Sequence, residues 1–321
     1  MKRFAFSTAA VALFVSIAAT LPASAGVSID RVSPSLACPF PVSFAEVMGL
    51  VPPGGGCDVG GVGPVLEVMP ISFGLGAMDN IDGLSANTLT SPNLTYHLLF
   101  SVDPGSVGVA GTPLNAAAAN NQAASDIYRT PLTGSSPAAA MAACAPIAIP
   151  PPQALHRNQT AFNLIPTVPA GAFSGIPEDN VDGVEMDVLD FTGDNINDVP
   201  VYFSLDAVSP ALFTSGADIY FSPAGGGPFF LFSLPAQAGL LAGDEIDSLV
   251  MWDRGGIGAP NPGVDMALFS LAPGSPTLAM IGASPAALFV TSFNFAFCPF
   301  APANQLGLLG ADNVDGLDVM P

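Results

Sequence analysis

Asp312-Asn313-Val314-Asp315-Gly316-Leu317 stands four residues short of the C-terminus and repeats a pattern used three times before it. The earlier copies are Asp79-Asn80-Ile81-Asp82-Gly83-Leu84, Asp179-Asn180-Val181-Asp182-Gly183-Val184 and Asp244-Glu245-Ile246-Asp247-Ser248-Leu249. Behind each of these comes a Phe-Ser pair (Phe100-Ser101, Phe203-Ser204, Phe269-Ser270), 21, 24 and 25 residues after the first aspartate. The last copy has no room for such a pair. Its continuation stands at the other end of the chain, where Ser28-Ile29-Asp30-Arg31-Val32-Ser33-Pro34-Ser35-Leu36 matches Ser204-Leu205-Asp206-Ala207-Val208-Ser209-Pro210-Ala211-Leu212. One repeat unit is therefore split between the termini.

Within a unit the apolar runs are short and bounded by Gly, Pro, Asn and Asp, which is a strand pattern. The third unit shows it best. Its motif strand is followed by Val201–Asp206, by Ala217–Ser222 and, after the Gly225–Gly227 turn, by Phe229–Ser233. Four strands per unit in four units predict an all-β chain, a four-bladed β-propeller closed by pairing of the C-terminal strand with the N-terminal blade. Such pairing removes an exposed sheet edge. The expected blades are 312–321 with 26–72, then 73–172, 173–236 and 237–311, together one domain over 26–321. A repeat-built β-sandwich is the alternative architecture. In layout the chain resembles the hemopexin-like four-bladed propellers, in which an Asp-led inner strand starts each blade. The aromatic positions of that family are not reproduced, so the resemblance implies layout and no ligand.

Residues 1–25 read as a secretory signal: Lys2 and Arg3, an apolar run from Ala9 to Leu21, and the small-residue site Ala23-Ser24-Ala25. The form of this segment suggests a bacterium, with the protein secreted or periplasmic. The remainder holds four basic residues, Arg31, Arg129, Arg157 and Arg254, against 26 acids, a net charge of −22. That surface repels nucleic acid, and no second long apolar stretch predicts membrane insertion. Export permits disulfides among Cys38, Cys57, Cys144 and Cys298. Pairing Cys38 with Cys57 and Cys144 with Cys298 is one of three connectivities, and the spacings do not resemble a zinc site.

The motif spacing is 100 residues between the second and third units against 65 and 68 afterwards. The excess lies in an Ala- and Pro-rich stretch, 132–172, expected as a long extended loop that carries Cys144, His156 and Arg157.

Chemistry concentrates in two acidic features. Asp190, Thr192, Asp194, Ile196 (through its carbonyl) and Asp198 occupy alternate positions of one loop, the arrangement of oxygen donors that calcium requires. The stretch resembles the calcium loops of FG-GAP (VCBS-like) propeller repeats, as in integrin α-subunits. It departs from them in having Thr192 at the third position and Asn195 where glycine is usual. The resemblance implies calcium as the cofactor. The second feature is the repeated Asp82, Asp182, Asp247 and Asp315. Gathered on a propeller axis they would ring a cation; otherwise they bond backbone amides at the turn into each strand, a role that their repetition in every unit favours. Asp79, Asp179, Asp244 and Asp312 read as turn residues. His97 falls in a strand, and the chain has neither a nucleophile-elbow Gly-x-Ser-x-Gly nor a phosphate loop. Trp252 with Arg254 is a candidate ligand surface or a packed edge. These readings point to a calcium-stabilised binding or interaction module for an extracellular protein or carbohydrate. The alternatives are a secreted hydrolase with a glycosidase-like carboxylate pair at the pore, and a cell-surface or matrix structural protein.

Overall fold

A strand that is apolar on both faces has to be covered on both faces. Val201–Leu205 and Ile219–Ser222 are such runs, and every side chain in them is buried. The computed structural model covers them by stacking sheets face to face. It describes residues 24–29, 47–50, 64–68, 75, 79–86, 96–120, 122–132, 154–157, 179–185, 200–209, 211–223, 228–256, 258–306 and 308–320. Among these the chain is all-β, with four antiparallel sheets of four strands each.

The first sheet combines the two ends of the chain. It contains β1 (Ser24–Ile29), β2 (Val47–Leu50) and β3 (Pro64–Val68), with β16 (Val314–Met320) along the free side of β1. β1 begins at Ser24, so its first two residues fall within the expected signal segment. The second sheet is β4 (Ile81–Ala86), β5 (Tyr96–Val102), β6 (Ile127–Leu132) and β7 (Ala154–Arg157). The third is β8 (Val181–Glu185), β9 (Val201–Leu205), β10 (Ile219–Ser222) and β11 (Phe230–Ser233). The fourth is β12 (Ile246–Trp252), β13 (Met266–Leu271), β14 (Leu288–Thr291) and β15 (Phe297–Ala301). Among the described residues, three short α-helices, α1 (Pro113–Ala118), α2 (Pro235–Ala238) and α3 (Pro276–Ile281), lie in connections, each opening on proline, whose fixed φ suits a first turn.

One expectation changes here. The stretch 132–172 is not loop throughout, because Ala154–Arg157 forms β7, the outer strand of the second sheet, in register with Ile127–Arg129 of β6. An outer strand needs only one covered side, so its sequence lacks the apolar run that announces the inner ones.

Alternate residues of a strand serve opposite neighbours. Val201, Phe203 and Leu205 join Leu99 and Ile127 of the second sheet. Tyr202, Phe221 and Phe232 join Leu249, Phe269 and Phe289 of the fourth. Val250, Leu268 and Leu288 of the fourth sheet in turn meet Val314 and Leu317 of β16. Truncating one of these buried phenylalanines to alanine would cost about 3–5 kcal/mol. Each hydroxyl bond between sheets contributes only about 1 kcal/mol. The apolar seams hold the sheets together, and the hydroxyls set their register.

Those hydroxyls recur. Ser28 Oγ donates to the Ile81 carbonyl of the next sheet (3.3 Å), Ser204 to Ile246 (3.0 Å) and Ser270 to Val314 (2.7 Å). Each serine stands opposite two residues of its own sheet's motif strand: Asp315-Gly316 faces Ser28, Asp82-Gly83 faces Ser101, Asp182-Gly183 faces Ser204 and Asp247-Ser248 faces Ser270. Every motif strand therefore carries a β-bulge at the same place. At the bulge the next motif strand approaches closely. A Cβ on Gly83 would lie 2.5 Å from the Asp182 carbonyl oxygen, and one on Gly183 2.8 Å from Leu249 Cβ. On Gly316 it would lie 2.3 Å from Ser28 Oγ and 2.9 Å from Leu84 Cβ. The motif strands β4, β8, β12 and β16 are neighbours in that order, and β16 also lies against β4.

Gly83→Ala is expected to lower unfolding stability by about 1–3 kcal/mol, because the obstructing atom is backbone and cannot swing away. Gly310→Ala, where nothing lies within 4 Å of the added carbon, is the neutral control. Urea melts of the two variants check this, and equal midpoints would contradict the close approach.

Candidate functional site

The bulges bring the second aspartate of each motif to the same end of adjacent strands, and the residue two places earlier links them. Asn180 gives its two amide N–H groups to Asp82 of the second sheet (2.9 Å) and Asp182 of its own (2.8 Å). Asn80 bonds Asp315 of the first sheet and Asp103, both at 3.0 Å. Asn313 bonds Asp315 at 2.5 Å. At the equivalent place in the fourth sheet stands Glu245, which has no amide to offer. Its Oε1 accepts the Ala207 backbone N–H at 2.6 Å.

Asp82, Asp182 and Asp315 are buried, and Asp247 is half-buried. Burial above all, then the carboxylates of Asp103, Asp182 and Asp315, push Asp82 well above the usual carboxylate range. Asp182 is raised in the same way, by burial first and then by Asp247, Asp206, Glu245 and Asp103. Burial also raises Glu245, opposed by the Ala207 N–H and reinforced by Asp206. Carboxylates take both N–H groups of Asn80 and Asn180, and the amide oxygens of these two residues are buried with no donor. Arg254, the one arginine beyond residue 25 whose side chain is described, sits on the β12–β13 connection at the opposite end. The cluster can hold protons, and its excess of oxygen donors over N–H groups suits a cation. Among the described residues, however, no three His, Cys, Asp or Glu side chains are arranged to hold a metal ion.

The first aspartate of each motif does different work. Asp79 accepts the backbone N–H groups of Val107 (2.7 Å) and Gly108 (2.9 Å), and Asp179 that of Ala211 (2.7 Å). Asp244 accepts those of Leu241 (2.7 Å) and Thr277 (2.8 Å), and Asp312 that of Leu309 (2.6 Å). These first aspartates take backbone amides, whereas Asp82 and Asp315 each bond a side-chain amide from a neighbouring sheet and Asp182 bonds that of Asn180 beside it. Beside three of the four first aspartates, the amide of the next residue is held by a serine: Asn80 by Ser106, Asn180 by Ser209 and Glu245 by Ser275. The motif thus ties its strand to the loop joining the second and third strands of its sheet.

The remaining sequence candidates are dispersed. The loop Asp190, Thr192, Asp194, Ile196 and Asp198 lies outside the described residues, as do Cys38, Cys57 and Cys144. Cys298 is on β15 and half-buried. His97 is on β5, while His156 and Arg157 are on β7. Trp252 ends β12 and packs on the seam between the fourth sheet and β16. The linking asparagines escaped sequence reasoning, although Asn in three copies and Glu in the fourth was the signal. No protein-family model, curated protein or solved structure matches this chain.

The raised carboxyls set a pH dependence. The folded chain holds protons on Asp82 and Asp182 that the unfolded chain releases above about pH 4. Their contribution is fully present below that pH and is lost as pH rises through the folded values. The melting temperature in EGTA should fall from mildly acidic to alkaline buffer, and Asp82→Asn should flatten the fall. A wild-type slope in that variant would show that the cluster does not hold the protons.

Proposed function

We propose that this chain is an exported four-bladed β-propeller that acts as a binding or interaction module and is stabilised by calcium. The pairing of β16 with β1 across the two ends of the chain supports the closed ring, as do the matching bulge and serine in all four sheets. The module reading rests on one observation: Asp82 and Asp182 share a single amide, that of Asn180. A hydrolase needs one carboxyl protonated and its partner ionised, each free to reach substrate. Here burial and like charges raise both together, and both are engaged in joining neighbouring strands.

Assaying the protein on a panel of chromogenic glycosides tests this reading. No turnover is expected, and turnover abolished by Asp182→Asn in a folded protein would replace the module with the hydrolase. Calcium is drawn from Asp190, Asp194 and Asp198, whose hard carboxylate oxygens suit that ion. Since a ligand bound only to the folded state stabilises it by mass action, EGTA should lower the melting temperature and Asp194→Asn should remove the response. Identical melts with and without EGTA would exclude the ion. Deleting residues 312–321 should abolish cooperative unfolding, because it removes β16 and leaves β1 unpaired on one side. A wild-type melt in that truncation would rule out closure.

A further inference from the structure

The motif ends of the four sheets carry a second repeated feature. Because the motif residues of neighbouring sheets touch one another, all four motif strands start at one end. Among the described residues, the β5–β6, β9–β10, β11–β12, β13–β14 and β15–β16 connections emerge there too. Exposed apolar residues on these connections include Val107, Val208, Phe213, Leu241 and Leu309, with Phe213 66 % and Leu309 52 % accessible. Exposed apolar residues scattered singly need no explanation. These five share a property: the backbone N–H of each is held by a side chain. Val107 is held by Asp79, Val208 by Asp206, Leu241 by Asp244 and Leu309 by Asp312, all at 2.6–2.7 Å, while Phe213 is held by the Tyr220 hydroxyl at 2.7 Å. Tyr220, Asp79, Asp244 and Asp312 are themselves buried. The five exposed residues are thus fixed in place before any partner arrives, which lowers the entropic cost of binding.

The centre of that end is acidic. Asp103 and Asp206 close β5 and β9 beside Asn80 and Asn180, Glu245 stands with them, and all three are half-buried. A second copy of this chain, itself of net charge −20, would bring like charge against this centre, and an anionic bilayer would do the same. A cationic apolar surface is complementary to it.

We propose that the motif end of the sheets is a preformed docking surface for a polypeptide segment that carries Lys or Arg among large apolar side chains. The apolar residues would seat on the five fixed residues and the cations over the acidic centre. This rests on the module reading and names the chemistry of its partner.

The test uses fluorescein-labelled peptides and the full chain. A Leu/Lys amphipathic peptide should bind by anisotropy. A Leu/Glu peptide of the same pattern and a Ser/Lys peptide of the same charge should not. Phe213→Ser with Leu309→Ser should weaken binding about tenfold, with melting unchanged. Val264→Ser, an exposed apolar residue on the β12–β13 connection at the other end, should leave it intact. The proposal is overturned if the Leu/Lys peptide does not bind, if the Ser/Lys peptide binds equally well, or if the paired serine variant binds as wild type. Sedimentation showing a dimer that the paired variant dissolves would assign the surface to a second copy instead and also overturn it. Glycoside turnover would refute the module without altering these binding outcomes, so the two failures are separable.

Discussion

Adjacent motif strands approach until backbone meets backbone, and the rest of the architecture follows from the need to permit that contact. A regular strand would direct a side chain at its neighbour. The bulge at Asp82-Gly83 and its counterparts places a residue without a Cβ at the point of closest approach instead. The fourth sheet is the instructive variation. Ser248 replaces glycine there, and its hydroxyl is taken up by Ser270 at 2.6 Å. The strand it faces is β16, whose Val314 carbonyl accepts from that same Ser270.

Close packing of polar strand starts has an electrostatic consequence. Burying carboxylates costs several kcal/mol each unless they are paired, bonded or neutralised. Asparagine answers this in three of the four motifs, since one amide can donate to carboxylates on two strands. Glu245 breaks the series at the seam between the third and fourth sheets, where two acids meet in place of an acid and an amide. That seam also carries the dense aromatic cluster of Tyr202, Phe221, Phe232, Phe269, Phe289 and Phe293. Apolar burial there offsets what the polar end lacks, a compensation of the kind expected when stability is a small difference between large terms.

The strands were legible because they are short, apolar and bounded by turn residues, and the split unit was legible because Ser28–Leu36 copies Ser204–Leu212. The bulge was not, since a two-residue period cannot show that Asp-Gly opposes a single serine. Nor were the asparagine links, which join residues 98 and 235 positions apart. β7 was hidden for a different reason, because an outer strand has no buried face on its far side to impose a pattern. The roles of the two aspartates in each motif could not be separated by spacing alone. Only the loop that returns over Asp79 or Asp244 distinguishes a clamp from a link.

The register of β1 on β16 sets Ser28 opposite Gly316. Contacts so distant along the chain are slow to form, because the entropy of closing the intervening loop has to be overcome first. During synthesis the second, third and fourth sheets can each assemble from residues already made. The first must wait for β16, and until then β1 presents an unpaired edge. Such an edge invites pairing with other chains. β16, made long after β1, therefore decides whether β1 remains within its own molecule.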